Sequence, residues 1–108
     1  MGRTKRLGVC CDTGHWVRSG LKPVDCLKLL EGGILSFHLK DIEKLGRVDA
    51  QEVPWGTGKS DVEGILKEIR RQELKPVIAI EYECPGDMLP ALRQSITSYE
   101  KTAAELDR

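Results

Sequence analysis

The chain has 108 residues, 31% charged and 40% hydrophobic, and 17 Lys+Arg balance 17 Asp+Glu to a formal net charge of zero. That is one domain at most, residues 1–108, with room for an ordinary core, and its neutrality excludes the basic footprint of a protein that binds nucleic acid or an anionic membrane. No apolar stretch reaches the ~18 residues of a membrane span, and the polar start from Met1 to Arg6 has no signal-peptide apolar segment behind it, so a cytoplasmic location is expected.

The first apolar run, residues 7–11, has strand length and leads to Asp12. It contains Cys10 and Cys11, which are expected to act as small buried hydrophobes. Cys10, Cys11, Cys26 and Cys84 include no C-x-x-C pair, so reduced structural thiols are expected in a reducing compartment. A helix is predicted over residues 23–31, with Pro23 in its first turn and Gly32-Gly33 stopping it. The second strand run is 34–39, followed by the longest irregular stretch, 43–59. Ser60 and Glu63 then match a capping box for a helix with Val62, Ile65, Leu66 and Ile69 on one face. The third run is 77–82. From Asp87 onward Leu89, Leu92, Ile96, Tyr99, Ala103 and Leu106 recur at spacings of three and four, predicting a last helix with a single apolar stripe. The fold class is therefore α/β, in the order βαβαβα, with three parallel strands joined by right-handed crossovers.

Alternation within the strands separates two faces. Leu7, Val9, Cys11, Leu35, Phe37, Leu39, Ile78, Ile80 and Tyr82 make a bulky face suited to packing against helices. Gly8, Cys10, Ile34, Ser36, Val77 and Ala79 make a face of mostly smaller residues that leads up to Asp12, His38 and Glu81. That second face resembles the inside of a barrel, with polar groups at the C-terminal strand ends where α/β active sites form. Asp12, His38 and Glu81 make an O, N, O donor set suited to a divalent metal, with Mn²⁺, Mg²⁺, Co²⁺ and Zn²⁺ all compatible. Taken singly, an Asp at a strand end is also a helix cap, and a His on an apolar strand is satisfied by ordinary hydrogen bonds. Equivalent placement on three successive units is what singles the three out.

Four motifs in order, Asp12-Thr-Gly-His15, His38-Leu-Lys-Asp41, Trp55-Gly-Thr-Gly58 and Ile80-Glu-Tyr-Glu83, resemble the signatures of the xylose-isomerase-like sugar phosphate isomerase/epimerase superfamily. The resemblance spans nearly the whole chain. It implies a partial (β/α)₈ (TIM-type) barrel, residues 1–108 corresponding to the sixth, seventh and eighth units. It further implies metal ligands at Asp12, His38 and Glu81, and His15 on substrate oxygens. The implied reaction is isomerisation or epimerisation of a small sugar or sugar phosphate through an enediolate, with Glu81 as one of two opposed acid/base carboxylates. The family's fourth ligand and second carboxylate is a Glu on the fourth strand, which this chain does not contain, and a full barrel needs ~250 residues. The endonuclease branch of the superfamily places an Asp and a His just before the G-x-G loop, where this chain has Ala50 and Glu52.

Gly56-Thr-Gly-Lys-Ser60 fails as a phosphate-binding P-loop, since Val53 stands where Gly is required. The same turn ahead of a helix is open to two readings, a substrate anion site or a tight turn with a cap. Lys40 and Asp41 either orient substrate or pair with each other; Trp16 and Trp55 either wall the site or pack in the core; Glu83 is expected at the solvated rim. An uncovered parallel sheet with two free edges is rarely stable alone. A homo-oligomer or a complementing barrel fragment is therefore expected as partner, with little activity from the chain by itself. The alternative is a non-catalytic assembly module.

Overall fold

β1 (Val9–Asp12) and β5 (Val77–Ile80) flank β2 (Ile34–Leu39) in a three-stranded sheet, both pairings parallel. The structure, a computed structural model, describes residues 7–83 and 86–107. Between the strands run α1 (Thr13–Arg18), α2 (Pro23–Leu29) and α3 (Val62–Arg71), and α4 (Leu89–Leu106) follows β5. The predicted βαβαβα order is present, with three additions. α1 was not predicted; at six residues it is too short to show helical periodicity. The stretch expected to be irregular holds β3 (Asp41–Ile42) paired antiparallel with β4 (Glu52–Val53).

The bulky face packs under the helices over most of its length, but Leu7, expected there, is 77% exposed. Cys11, Phe37 and Leu39 are wholly buried in one core with Leu27, Ile65, Leu66 and Trp55, and Val9 and Ile78 lie against it. A smaller core joins Val17, Ile42 and Ala50 beneath the β3–β4 hairpin. On the opposite face Cys10 and Ala79 are exposed and Val77 is 76% exposed, so neither α4 nor the hairpin covers it. No helix among the described residues is long and apolar enough to cross a membrane.

Four further sequence expectations need correction. Val9 pairs with Ile34 but Cys10 pairs with Ser36, so one step along β1 takes two along β2. Leu35 is the extra residue of a bulge, which reverses the alternation before it. Ile34 is consequently buried in the core, whereas Leu35, expected in the core, is half exposed. Leu35 also lies across Gly8, where a Cβ would come within 2.4 Å of Leu35 Cγ. Second, the cap of α3 is Asp61, not Ser60: Asp61 sits at φ 60 and its carboxylate accepts from the Gly64 amide at 3.1 Å. Third, the α4 stripe is only partly used. Leu89 and Ile96 stay exposed while Ser95 is buried, because the Trp55 amide donates to Ser95 Oγ and Trp55 packs on Tyr99 with ring centroids 5.8 Å apart. These contacts turn a small-residue row of α4 toward the body. Fourth, Cys10 is exposed. Cys10, Cys11 and Cys26 are free thiols, and Cys84 lies outside the described residues. Burial, with Cys10 and Cys26 adding to it, pushes the Cys11 thiol up to about 12, so Cys11 is an unreactive core residue.

Candidate metal centre

Asp12 ends β1 and turns straight into α1, whose N-cap it supplies by accepting from the His15 amide at 3.2 Å. It is therefore both a cap and a site residue, since one carboxylate has oxygens for both. His38 lies directly across the ladder from Asp12. β5 ends at Ile80, and the Glu81 amide continues its ladder by donating to the Leu39 carbonyl at 3.1 Å. Parallel register thus brings the ends of three strands level. One ligand atom from each of Asp12, His38 and Glu81 lies within 4.8 Å of the other two, and all three residues are half-buried.

The inner contacts are short. His38 Nδ1 is 2.7 Å from Glu81 Oε1, so Nδ1 is the ring nitrogen facing the cluster. Lys40 Nζ is 2.8 Å from Glu81 Oε2 and 3.4 Å from Asp12 Oδ2, and its side chain is only 6% exposed. Burial alone lowers the affinity of this ammonium for its proton. The hydrogen bond to Glu81 and the charges of Asp12, Glu81 and Glu52 outweigh burial and hold Lys40 above the ordinary lysine range. His15 stands at the mouth, its side chain 66% exposed and Nε2 3.6 Å from Asp12 Oδ2.

The neighbouring residues that shape the site were not legible as such. Thr13 Oγ1 accepts from the Lys40 amide at 3.0 Å and donates to the Lys40 carbonyl at 2.8 Å, and Ser60 Oγ donates to the same carbonyl at 2.9 Å. Lys40 and Asp41 do not pair with each other. Asp41 is buried and accepts from the amides of Gly56 and Gly58 at 2.9 Å, and of Ile42 and Ser60 at 3.0 Å. Those amides are the ones a phosphate would need, so the Gly-rich turn is a structural loop gathered around an internal carboxylate. Gly58 has no room for a side chain there, since a Cβ would fall 2.4 Å from Asp41 Oδ1. Trp55 is core, not a wall of the site, and Trp16 is half-buried against the same core. Glu83 is exposed as expected, with its amide donating to Glu52 Oε2 at 2.7 Å.

The donor set fits a divalent ion. Two carboxylates and an imidazole converge on one spot, close enough to share an ion at bond lengths of ~2.0–2.2 Å after small side-chain shifts. The mixed oxygen and nitrogen character leaves Mn²⁺, Mg²⁺, Co²⁺ and Zn²⁺ all admissible.

Comparison with solved structures finds the same arrangement of chain in larger proteins. A xylose isomerase domain protein from Planctomyces limnophilus superposes with TM-score 0.76 at 23% identity, over 94% of this chain and 38% of its own. One from Alicyclobacillus acidocaldarius subsp. acidocaldarius gives 0.68 at 20% identity, again over 94% and 38%. An uncharacterised protein from Parabacteroides distasonis gives 0.56 at 35% identity, over 93% of this chain and 40% of its own. The chain thus spans about two fifths of the length of the solved structures it matches, and its three parallel strands are a partial TIM-type barrel. No match is found among curated proteins. The family model described as xylose isomerase-like TIM barrel matches residues 1–105, and the chain belongs to that family.

Proposed function

We propose that this chain is the C-terminal, ligand-bearing part of a metal-dependent sugar or sugar phosphate isomerase or epimerase. The observation that carries the reading is the convergence of Asp12, His38 and Glu81 at the C-terminal ends of adjacent parallel strands. Asp12, His38 and Glu81 would hold the ion. A divalent ion bound there supplies Lewis-acid polarisation of a substrate carbonyl or hydroxyl oxygen. Glu81 is the acid/base group, moving a proton on and off the carbon beside the carbonyl. Lys40 and His15 meet substrate oxygens, Lys40 from the wall and His15 from the mouth. The route needs a second carboxylate on the other side of the substrate, and this chain offers one, Glu81. Turnover therefore requires a complementing part of the barrel, and the chain alone isomerises neither ketoses nor aldoses.

A second reading has its own support in the exposed face around Cys10, Val77 and Ala79. Under it the chain is an assembly module that pairs with a second copy or with the remaining barrel units, burying that face. The two readings make different demands on a structure determined after a Mn²⁺ soak. The catalytic reading expects an ion bonded to Asp12, His38 and Glu81, and a soaked ketose with its C1–C2 region beside Glu81. An ion elsewhere, or a second copy filling the cluster with its own side chains, supports the module reading and defeats the catalytic one.

A further inference from the structure

Lys40 enters the cluster as a cation that the surrounding fold has been shaped to hold. Its backbone is fixed by Thr13 and Ser60 through three hydrogen bonds of 2.8–3.0 Å. Its aliphatic stem lies over Gly14, where an added Cβ would fall 2.6 Å from Lys40 Cβ and 3.0 Å from Cδ. The ammonium meets one oxygen of Glu81 and one of Asp12, two of the three donors a metal would use. A divalent ion drawing on those carboxylates meets the ammonium within a few ångströms, and the Lys40 side chain that carries it is only 6% exposed.

We propose that Lys40 is a built-in counter-cation of this site, holding Asp12 and Glu81 inward when no ion is bound and competing with a divalent ion for their oxygens. The proposal rests on the cluster being a metal centre and adds what sets its affinity: the site binds its ion loosely and exchangeably because a positive charge is already there. Lys40 is in this respect a positioning residue. The Thr-Gly pair inside Asp12-Thr13-Gly14-His15 then has a physical reason, since Thr13 pins the Lys40 backbone and Gly14 makes room for its stem.

The test is equilibrium dialysis against Mn²⁺ of the whole chain as wild type, Lys40→Met, Lys40→Arg and His38→Ala. Methionine keeps an unbranched stem over Gly14 and removes the charge. Lys40→Met is expected to bind Mn²⁺ at least ~10-fold more tightly, with Lys40→Arg within ~3-fold of wild type because the charge remains. Thermal melts give an independent reading: Mn²⁺ should raise the melting temperature of Lys40→Met more than that of wild type. If Lys40→Met does not fold, Lys40→Gln is judged by the same two criteria. Unchanged or weaker binding by a folded Lys40→Met, with binding lost in His38→Ala, overturns the counter-cation role and leaves the metal centre standing. Binding indifferent to His38→Ala overturns both.

Discussion

The two faces of the β1–β2–β5 sheet are built on opposite plans. The helix-covered face takes its residues by size: Cys11, Phe37 and Leu39 are wholly buried in one hydrophobic core. The other face holds Cys10, Ser36 and Ala79 low on the strands and Asp12, His38 and Glu81 at their ends, and it is open. One face is where the fold gains its stability, through apolar area removed from water. The other gives up that gain to keep charged side chains within reach of one another. In a parallel sheet both faces are ordinarily covered. The difference teaches that the covered face is filled by this chain's own helices, while the open face ends in three ligand-type side chains drawn within 4.8 Å of one another.

The largest effects are expected where buried groups are removed. Phe37→Ala should lower unfolding free energy by ~3–5 kcal/mol, measured by urea denaturation, through lost transfer energy and the cavity left behind. Asp41→Ala should lower it by a similar ~3–5 kcal/mol, since four amides lose their acceptor at once and a buried group left unpaired costs ~1–3 kcal/mol. If the Phe37→Ala value stays below ~1 kcal/mol, the covered side is not the stabilising one; a loss below ~1 kcal/mol in Asp41→Ala would mean its four amides find other partners. Gly14→Ala sharpens the boundary between the plans. In an exposed helix this change stabilises by up to ~1 kcal/mol, but here the new methyl strikes Lys40 Cβ, so a loss of ~1–3 kcal/mol is expected instead.

A pH titration tests a third part of the molecule, the buried end of α3. Glu68 accepts from Arg71 and from Gln72, and Arg71 also pairs with Glu31. Despite burial, these bonds, with Arg71 first among them, hold the Glu68 carboxyl down at about 2. The unfolded chain, with an ordinary carboxyl, therefore takes up this proton first as acid is added. The Glu68 contribution should be intact above about pH 4.5 and fade as pH falls toward about 2. Glu68→Gln should lose that part of the acid sensitivity. Smallest of all, Val77→Ser on the open face should change the stability of an isolated chain by less than ~0.5 kcal/mol. If light scattering gives a dimer mass and Val77→Ser weakens it, the open face is what the two copies bury. A monomer mass at micromolar concentration would contradict self-association.

The order of strands and helices was legible from strand-length apolar runs followed by helical spacing, and most of the covered face and the shared placement of Asp12, His38 and Glu81 from period-2 alternation. The reversal at Ile34 and Leu35 was not, since a bulge leaves no mark in a run of apolar residues. The Ser60–Glu63 spacing suggested a cap, but both Ser60 and Asp61 have capping side chains, and only the three-dimensional demand of the Lys40 carbonyl draws Ser60 inward. Lys40 itself had a usable signal: it follows His38 by two residues, so one more step of alternation puts its ammonium on the ligand face. Its clamp of Thr13, Gly14 and Ser60 had none, because those contacts span 20 or more residues in the chain.

The central claim, that the open face carries a metal centre made by Asp12, His38 and Glu81, is tested most directly by calorimetric titration of Mn²⁺ into wild type and His38→Ala. Measurable, weak binding in wild type that disappears in the variant is the predicted result. Superimposable isotherms for the two proteins would contradict it.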